Sequence, residues 1–206
     1  GHPGGCVRGA FRFGIARGFD VYDDRYSSAP RRDSFHFVER PADRVLQAAT
    51  DWIAAPRAGT KPAWFAWVHL FDPHAPYGAP DEFRRGRTPY DAEVAWTDSA
   101  LGAALDELER SGQLAHTLIA ITADHGESLG DHGETTHGLF AYEATLRVPL
   151  ILAAPGLVPR VVATPTTHVD IAPTVLELLD MEQRLRPAMR QQVFGASWGT
   201  GNGHHG

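Results

Sequence analysis

The sequence has very little sulfur, with one cysteine, Cys6, and two methionines. A single cysteine cannot form a disulfide within the chain, so no disulfide framework holds this fold together. A lone thiol suits a reducing compartment and equally an exported protein without disulfides. The first methionine is Met181, and we therefore expect polypeptide upstream of residue 1, together with any targeting signal, to be missing. The cellular location is left open.

Long apolar runs and excess positive charge are also absent. The two longest apolar stretches, residues 63–71 and 148–155, fall far below the roughly 20 residues that span a bilayer. The chain has 19 basic and 25 acidic residues, a net charge of -6. Without a broad cationic surface it has no means of attracting a phosphate backbone. We therefore expect neither a membrane segment nor a nucleic-acid partner in this chain.

Hydrophobic and charged residues make up 43% and 21% of the chain, a balance typical of globular domains. Apolar periodicity predicts helices that begin near Pro41, run from about 90 to 110, and begin at Asp170. Apolar runs at 64–71, 117–122 and 148–153 predict central strands, the first of them buried on both faces. Strands that alternate with helices favour an α/β layered fold.

The apolar positions of each helix predict the face that it buries, since they recur every three or four residues. They are Val45, Leu46, Ala49, Trp52 and Ile53 in the first helix, Val94, Leu101, Leu105 and Leu108 in the second, and Val175, Leu176 and Leu179 in the third. Asp170 can cap the third helix, with Pro173 in its first turn. We predict one domain over residues 1–180 and an irregular or disordered tail over 181–206.

Two adjacent side chains with metal-binding chemistry follow the predicted strand 117–122. Asp124 offers a carboxylate oxygen and His125 an imidazole nitrogen, and Gly126 permits a turn that could aim both at one ion. Ligands of open α/β sheets bind outside the carboxyl ends of strands, where such a loop lies. Two ligands do not complete a metal site. Spacing alone therefore supports two interpretations about equally: a metal site, and a turn whose side chains only form hydrogen bonds with the local backbone.

Spacing leaves the role of two other histidines open and favours a structural role for two more. His74 lies between two prolines, which stiffen its loop, and it suits either proton transfer or an exposed position without a role. The same two readings apply to His137. His69 lies within an apolar run and His168 just before the last helix, and we predict that both are buried, hydrogen-bonded structural residues.

A second group of ionisable residues follows His125, at Glu127, Asp131, His132 and Glu134. Most such residues are solvated loop charges, and we rank them below Asp124 and His125 as ligands. The sequence has neither a phosphate-binding loop of the Walker type nor the Gly-x-Ser-x-Gly signature. Nucleotide-hydrolase and α/β-hydrolase readings therefore lose their main support.

Several segments follow one another along the chain in an informative order. They are Gly-Phe-Asp-Val-Tyr-Asp-Asp at 18–24, Asp-Pro-His-Ala-Pro-Tyr at 72–77, the helix containing Asp98, Thr-Ala-Asp-His-Gly-Glu at 122–127, Thr-His-Gly-Leu-Phe at 136–140, Leu-Arg-Val-Pro-Leu at 146–150, and His-Val-Asp-Ile-Ala-Pro-Thr at 168–174. In sequence and in order, these segments resemble the sulfatase family over about residues 14–180. The resemblance implies an alkaline-phosphatase-like α/β/α sandwich with a mostly parallel central sheet, incomplete at its N-terminus.

The resemblance also implies roles for four residues. Asp124 and His125 would ligate a divalent cation, calcium in most sulfatases and often manganese or zinc in relatives. His74 resembles the histidine that contacts the transferred group and helps the leaving oxygen depart. His137 falls where many sulfatases have a lysine that touches the ester, and could supply a similar positive charge or a proton.

The implied function is hydrolysis of a sulfate ester, with a small-molecule or glycan ester as the substrate. Many sulfatases have asparagine after the aspartate, whereas His125 is closer to the phosphonate and phosphate ester hydrolases of the same superfamily, so these and a phosphoryl transferase are alternatives. A non-catalytic metal-binding module is a third reading.

The family nucleophile is a cysteine in Cys-x-Pro-x-Arg or Cys-x-Ala-x-Arg, which Cys6 does not match. We therefore expect the nucleophile to lie upstream and the isolated chain to be inactive.

Overall fold

The computed structural model describes residues 14, 16–25, 40–56, 63–134, 137–138 and 140–181. The chain divides into two compact units, residues 1–114 and 115–206, and each is described by itself. Cys6 and the predicted tail after Met181 lie outside the described residues. No helix among the residues that the structure describes is both long and apolar enough to cross a bilayer.

Helices dominate the described part of the first unit: α1 is Ala42–Ala54, α2 is Asp81–Arg84 and α3 is Pro89–Arg110. The two longer helices confirm the prediction, and they pack against each other. Helix α3 begins at a proline, whose missing N–H is not needed there, and the side chain of Thr88 accepts a hydrogen bond from the backbone N–H of Asp91. It ends before Gly112, whose φ of +70° suits glycine.

The buried faces of these helices match the predicted ones only in part. Leu46 and Ile53 of α1 are buried, as predicted. In α3 the prediction was wrong at Val94, which is 39% exposed, whereas Glu93 beside it is only 2% exposed. The loop that carries His74 is hydrogen-bonded to Glu93 and covers that side of α3. Helical periodicity does not encode this packing.

The segment 64–71, predicted to be a strand, belongs to no helix or strand, and the sheet found in the described part of the chain consists of two other segments. Phe65 and Trp67 are 71% and 62% exposed, so the prediction of burial on both faces was also wrong. His69, predicted to be buried, is exposed. A strand is covered on both faces only when other layers lie above and below it, and an apolar run cannot supply those layers.

The described part of the second unit has two strands, β1 at Ile119–Thr122 and β2 at Leu150–Ala153, and two helices, α4 at Glu143–Leu146 and α5 at Ile171–Leu178. Short 3-10 turns lie at Leu114–His116, on the boundary between the units, and at Asp131–Gly133 and His168–Asp170 within the second. The α5 prediction holds for its start and for Pro173 in its first turn. It was wrong for Leu179, which follows the helix and is 47% exposed.

Both strands were predicted, but their pairing is not the parallel kind that prevails in the mostly parallel central sheet implied by the resemblance. They pair antiparallel, with Ile119 opposite Ala153 and Thr122 opposite Leu150. Along each strand partly buried residues alternate with exposed ones, so neither is a central strand covered on both faces. An apolar run predicts that a segment is extended, but the direction of its partner depends on which segments meet.

Candidate functional site

Asp124 and His125 lie just after β1, with side chains that are 78% and 42% exposed. The backbone N–H of His125 donates to Asp124 Oδ1 over 3.0 Å, and its ring Nδ1 lies 2.8 Å from the carbonyl oxygen of Gly126. A carbonyl only accepts, so Nδ1 must carry the proton, and Nε2 holds the lone pair when the ring is neutral. His125 Nε2 lies 3.9 Å from Asp124 Oδ1.

This pair fits a contribution to a divalent cation site. Protein nitrogen binds zinc at about 2.0–2.1 Å and carboxylate oxygen binds calcium at about 2.3–2.6 Å, so one ion can span the 3.9 Å between the two atoms. Across the described ranges of the chain, no three His, Cys, Asp or Glu side chains are grouped so that they could hold a metal ion. A third His, Cys, Asp or Glu ligand would have to come from outside the described residues.

Gly126 is needed for a close backbone approach, which differs from the turn that we predicted. Its N–H donates to the carbonyl oxygen of Thr145 over 2.8 Å. A Cβ atom at this position would lie 2.1 Å from the carbonyl oxygen of Ala144. The absence of a side chain therefore lets the backbone after Asp124 and His125 lie directly against helix α4.

His137 lies beside His125, as a shared role would require. The two rings are 4.0 Å apart between centroids and inclined by 33°. His137 Nδ1 lies 3.1 Å from Glu127 Oε2, and since a carboxylate oxygen only accepts, the ring nitrogen donates. Glu127, with a side chain only 9% exposed, thus fixes the orientation and tautomer of His137.

The prediction that the acidic residues of this loop are solvated was wrong at two positions. The side chain of Glu127 is nearly buried and Glu134 is 6% exposed, whereas Asp131 and His132 are exposed. The sequence shows two copies of Asp-His-Gly-Glu seven residues apart, and nothing in them distinguishes the copy that holds His137. The fold makes that distinction by bringing His137 to the first copy.

His168 links the start of the last helical segment to the exit of β1. Its Nε2 lies 2.8 Å from the carbonyl oxygen of Ala123, the residue before Asp124. The predicted hydrogen bond is present, but the predicted burial was wrong, since His168 is exposed. Asp170 precedes α5 as predicted, yet its carboxylate accepts from the N–H and hydroxyl of Thr167. It therefore holds the turn before the helix.

His74 belongs to the first unit and is partly buried. Its Nδ1 lies 2.6 Å from the carbonyl oxygen of Ala75, so Nδ1 donates and Nε2 is the atom suited to proton exchange. The ring lies against that of Phe71, with centroids 4.2 Å apart. The backbone N–H groups of His74 and Gly78 both donate to the carboxylate of Glu93, a residue that the sequence analysis missed.

Comparison with known proteins places this arrangement in context. The chain is 36% identical over 108 residues to the choline-sulfatase of Rhizobium meliloti (strain 1021), covering 52% of this chain and 21% of that protein. It is 34% identical over 105 residues to the multifunctional alkaline phosphatase superfamily protein PehA of Trinickia caryophylli, covering 49% of this chain and 20% of that protein. The matched part of the chain spans about a fifth of the length of each of these two relatives.

Among solved structures, yidJ of Bacteroides fragilis superposes with a TM-score of 0.60 at 20% identity, covering 82% of this chain and 44% of that one. This likeness supports the predicted α/β class. The sulfatase family model matches residues 7–181, most of the chain. The chain therefore belongs to the sulfatase family.

Proposed function

We propose that the protein containing this chain hydrolyses sulfate esters with the help of a divalent cation. The first choice of cation is calcium, with manganese and zinc as alternatives. The substrate class is a small-molecule or glycan sulfate ester. The chain would contribute Asp124 and His125 as two of the metal ligands, and His74 and His137 as catalytic residues.

The observation that carries this proposal is the grouping at the exit of β1 in a chain of the sulfatase family. Asp124 and His125 present an oxygen and a nitrogen 3.9 Å apart, and both side chains are accessible. The ring of His137 lies against His125, so a group that touches the bound ester could stand beside the ligand pair. A turn that merely satisfied its own backbone would not require this third side chain.

Each of the four residues has a separate task in the proposed reaction. His74 in its protonated form would give the proton on Nε2 to the oxygen that leaves as the ester bond breaks, while Nδ1 keeps its own proton in the bond to Ala75. His137, oriented by Glu127 through Nδ1, would donate from Nε2 to a non-bridging oxygen of the ester when its ring is protonated at both nitrogens. Asp124 and His125 would hold the cation, which supplies neutralisation of the charge on those oxygens. The nucleophile is outside this proposal, because Cys6 does not match the family motif.

A second candidate is hydrolysis of phosphonate or phosphate esters. His125 occupies a position where many sulfatases have asparagine, and the similarity to PehA, a multifunctional alkaline phosphatase superfamily protein, favours this reading. Both candidates use the same residues, because sulfate and phosphonate esters both develop charge on non-bridging and leaving oxygens. They are therefore separated by substrate rather than by site.

The test compares cation binding and ester hydrolysis in matched variants of the protein containing this chain. Asp124→Ala and His125→Ala should each weaken calcium binding about tenfold or more and lower hydrolysis of 4-nitrophenyl sulfate by a larger factor. The controls are Asp131→Ala and His132→Ala in the second Asp-His-Gly-Glu copy, both exposed, which should change neither property. Unchanged calcium, manganese and zinc titrations in the first pair would refute the metal assignment.

Substrate comparison separates the candidate functions. Faster turnover of 4-nitrophenyl sulfate than of 4-nitrophenyl phenylphosphonate supports the sulfatase proposal, and the reverse supports the second candidate. Cation binding by the protein containing this chain, without turnover of either ester, would indicate a non-catalytic metal-binding module. The isolated 206-residue chain should bind the cation weakly and turn over neither ester.

A further inference from the structure

We infer that Glu93 is a positioning residue for His74, holding the loop of residues 74–78 from helix α3. The catalytic part of this inference rests on the proposed function of His74. Glu93 Oε2 accepts from the N–H of His74 over 2.9 Å, and Oε1 accepts from the N–H of Gly78 over 2.7 Å. One carboxylate thus bridges the two ends of the loop.

The burial of Glu93 sets it apart from the other acidic residues of α3. It is 2% exposed and, with Ser128, is one of the two largest fully buried side chains in the described part of the molecule. A buried carboxylate is costly unless it is hydrogen-bonded, and charged hydrogen bonds are the stronger kind. Both oxygens accept from backbone amides, so what Glu93 fixes is the path of the chain.

The composition of the loop makes these two bonds decisive for its shape. Pro73 and Pro76 have no N–H, so this segment has few amides with which to anchor itself. The Glu93 carboxylate accepts from the backbone N–H of His74 and from that of Gly78, four residues later. With the backbone held at both points, the bond from Nδ1 to Ala75 and the contact with Phe71 determine where Nε2 points.

The first test measures amide hydrogen exchange by NMR. In the parent, the amides of His74 and Gly78 should exchange at least about tenfold more slowly than the amide in the exposed turn at Gly86. Glu93→Gln keeps the shape but presents an NH2 group to one amide, and should accelerate exchange at both amides about tenfold or more. Glu109→Gln, the same change at an exposed position of α3, should alter these rates by about twofold or less.

The second test asks whether the two hydrogen bonds from the loop to Glu93 affect turnover through His74. In the protein with measurable sulfate ester hydrolysis, Glu93→Gln should slow esters of alkyl alcohols more than 4-nitrophenyl sulfate, because the poorer leaving group depends more on proton donation. His74→Ala should show the same bias. Adding Glu93→Gln to His74→Ala should cause little further loss, because residues that act as a unit are not additive.

Each outcome decides the inference. Unchanged exchange at His74 and Gly78 in Glu93→Gln overturns it, and so does accelerated exchange with turnover of both ester types intact. If Glu93→Gln does not fold, the amides of His74 and Gly78 in the parent decide. Exchange at these amides as fast as at Gly86 would mean that Glu93 does not hold the loop. If no ester is hydrolysed by any variant, the proposed function fails, while the exchange result still decides whether Glu93 holds the loop.

Discussion

Replacing Gly126 by alanine gives a direct test of how the Asp124 and His125 segment is supported. The added Cβ would lie 2.1 Å from the carbonyl oxygen of Ala144, 3.2 Å from the carbonyl carbon of the same residue and 3.4 Å from the carbonyl oxygen of Arg147. Contacts of Cβ atoms below about 3 Å are essentially never observed, so something must shift. All three atoms belong to the backbone and cannot rotate away.

The expected cost follows from this contact and from the hydrogen bond beside it. Forcing one methyl group into a filled space costs about 1–3 kcal/mol. Movement of α4 away from residue 126 would also strain the bond from the Gly126 N–H to Thr145, worth about 1 kcal/mol. We therefore expect Gly126→Ala to lower the free energy of unfolding by about 2–4 kcal/mol, measured by urea denaturation. Cation binding should weaken with it, because the ligand pair directly precedes the displaced residue.

A matched glycine provides the control. Gly102 lies within helix α3, and a Cβ there would meet nothing within 4 Å. Gly102→Ala should therefore raise the free energy of unfolding by about 0.4–1 kcal/mol, since alanine restricts the unfolded chain and favours helix. If Gly126→Ala is as stable as the parent while Gly102→Ala behaves as expected, the close approach to α4 is not what holds this segment.

Two further predictions concern the first unit. Thr88→Ala removes the side chain that accepts from the Asp91 N–H at the start of α3 and should lower stability by about 1 kcal/mol in urea denaturation, whereas Thr88→Ser should retain most of it. The Arg25 guanidinium, which donates to Asp23, holds the pKa of this carboxyl well below its ordinary value of 3.8, and Arg40 adds to the effect. A depressed pKa gives stabilisation that is present above the ordinary value and lost as pH falls through the folded value. The stability difference between the parent and Asp23→Asn should therefore be constant above about pH 5 and shrink on acidification, and a difference that grows in acid would contradict this.

Local patterns predicted the three longer helices well and singled out two candidate ligands. The start of α1, the full span of α3 and the start of α5 follow from apolar spacing and from proline and glycine signals, because a helix satisfies its own backbone within a short stretch. Asp124 and His125 could be singled out because they are adjacent. The resemblance to sulfatases added His74 and His137.

Which side chains these residues contact depends on how distant segments of the chain pack together. In the sequence, Glu93 looks like any polar helix position, and Glu127 looks like the equivalent acid of the second Asp-His-Gly-Glu copy. The fold brings Glu93 within hydrogen-bond distance of His74, 19 residues away, and Glu127 within hydrogen-bond distance of His137, 10 residues away. The antiparallel pairing of β1 with β2 and the exposure of Phe65 likewise depend on which segments pack together. Periodicity within one segment indicates that segment's own conformation, whereas burial and pairing are properties of two segments. Sequence patterns therefore predicted the longer helices, the two strands and the adjacent donors, but they were wrong about a strand at 64–71 and did not predict the contacts between segments.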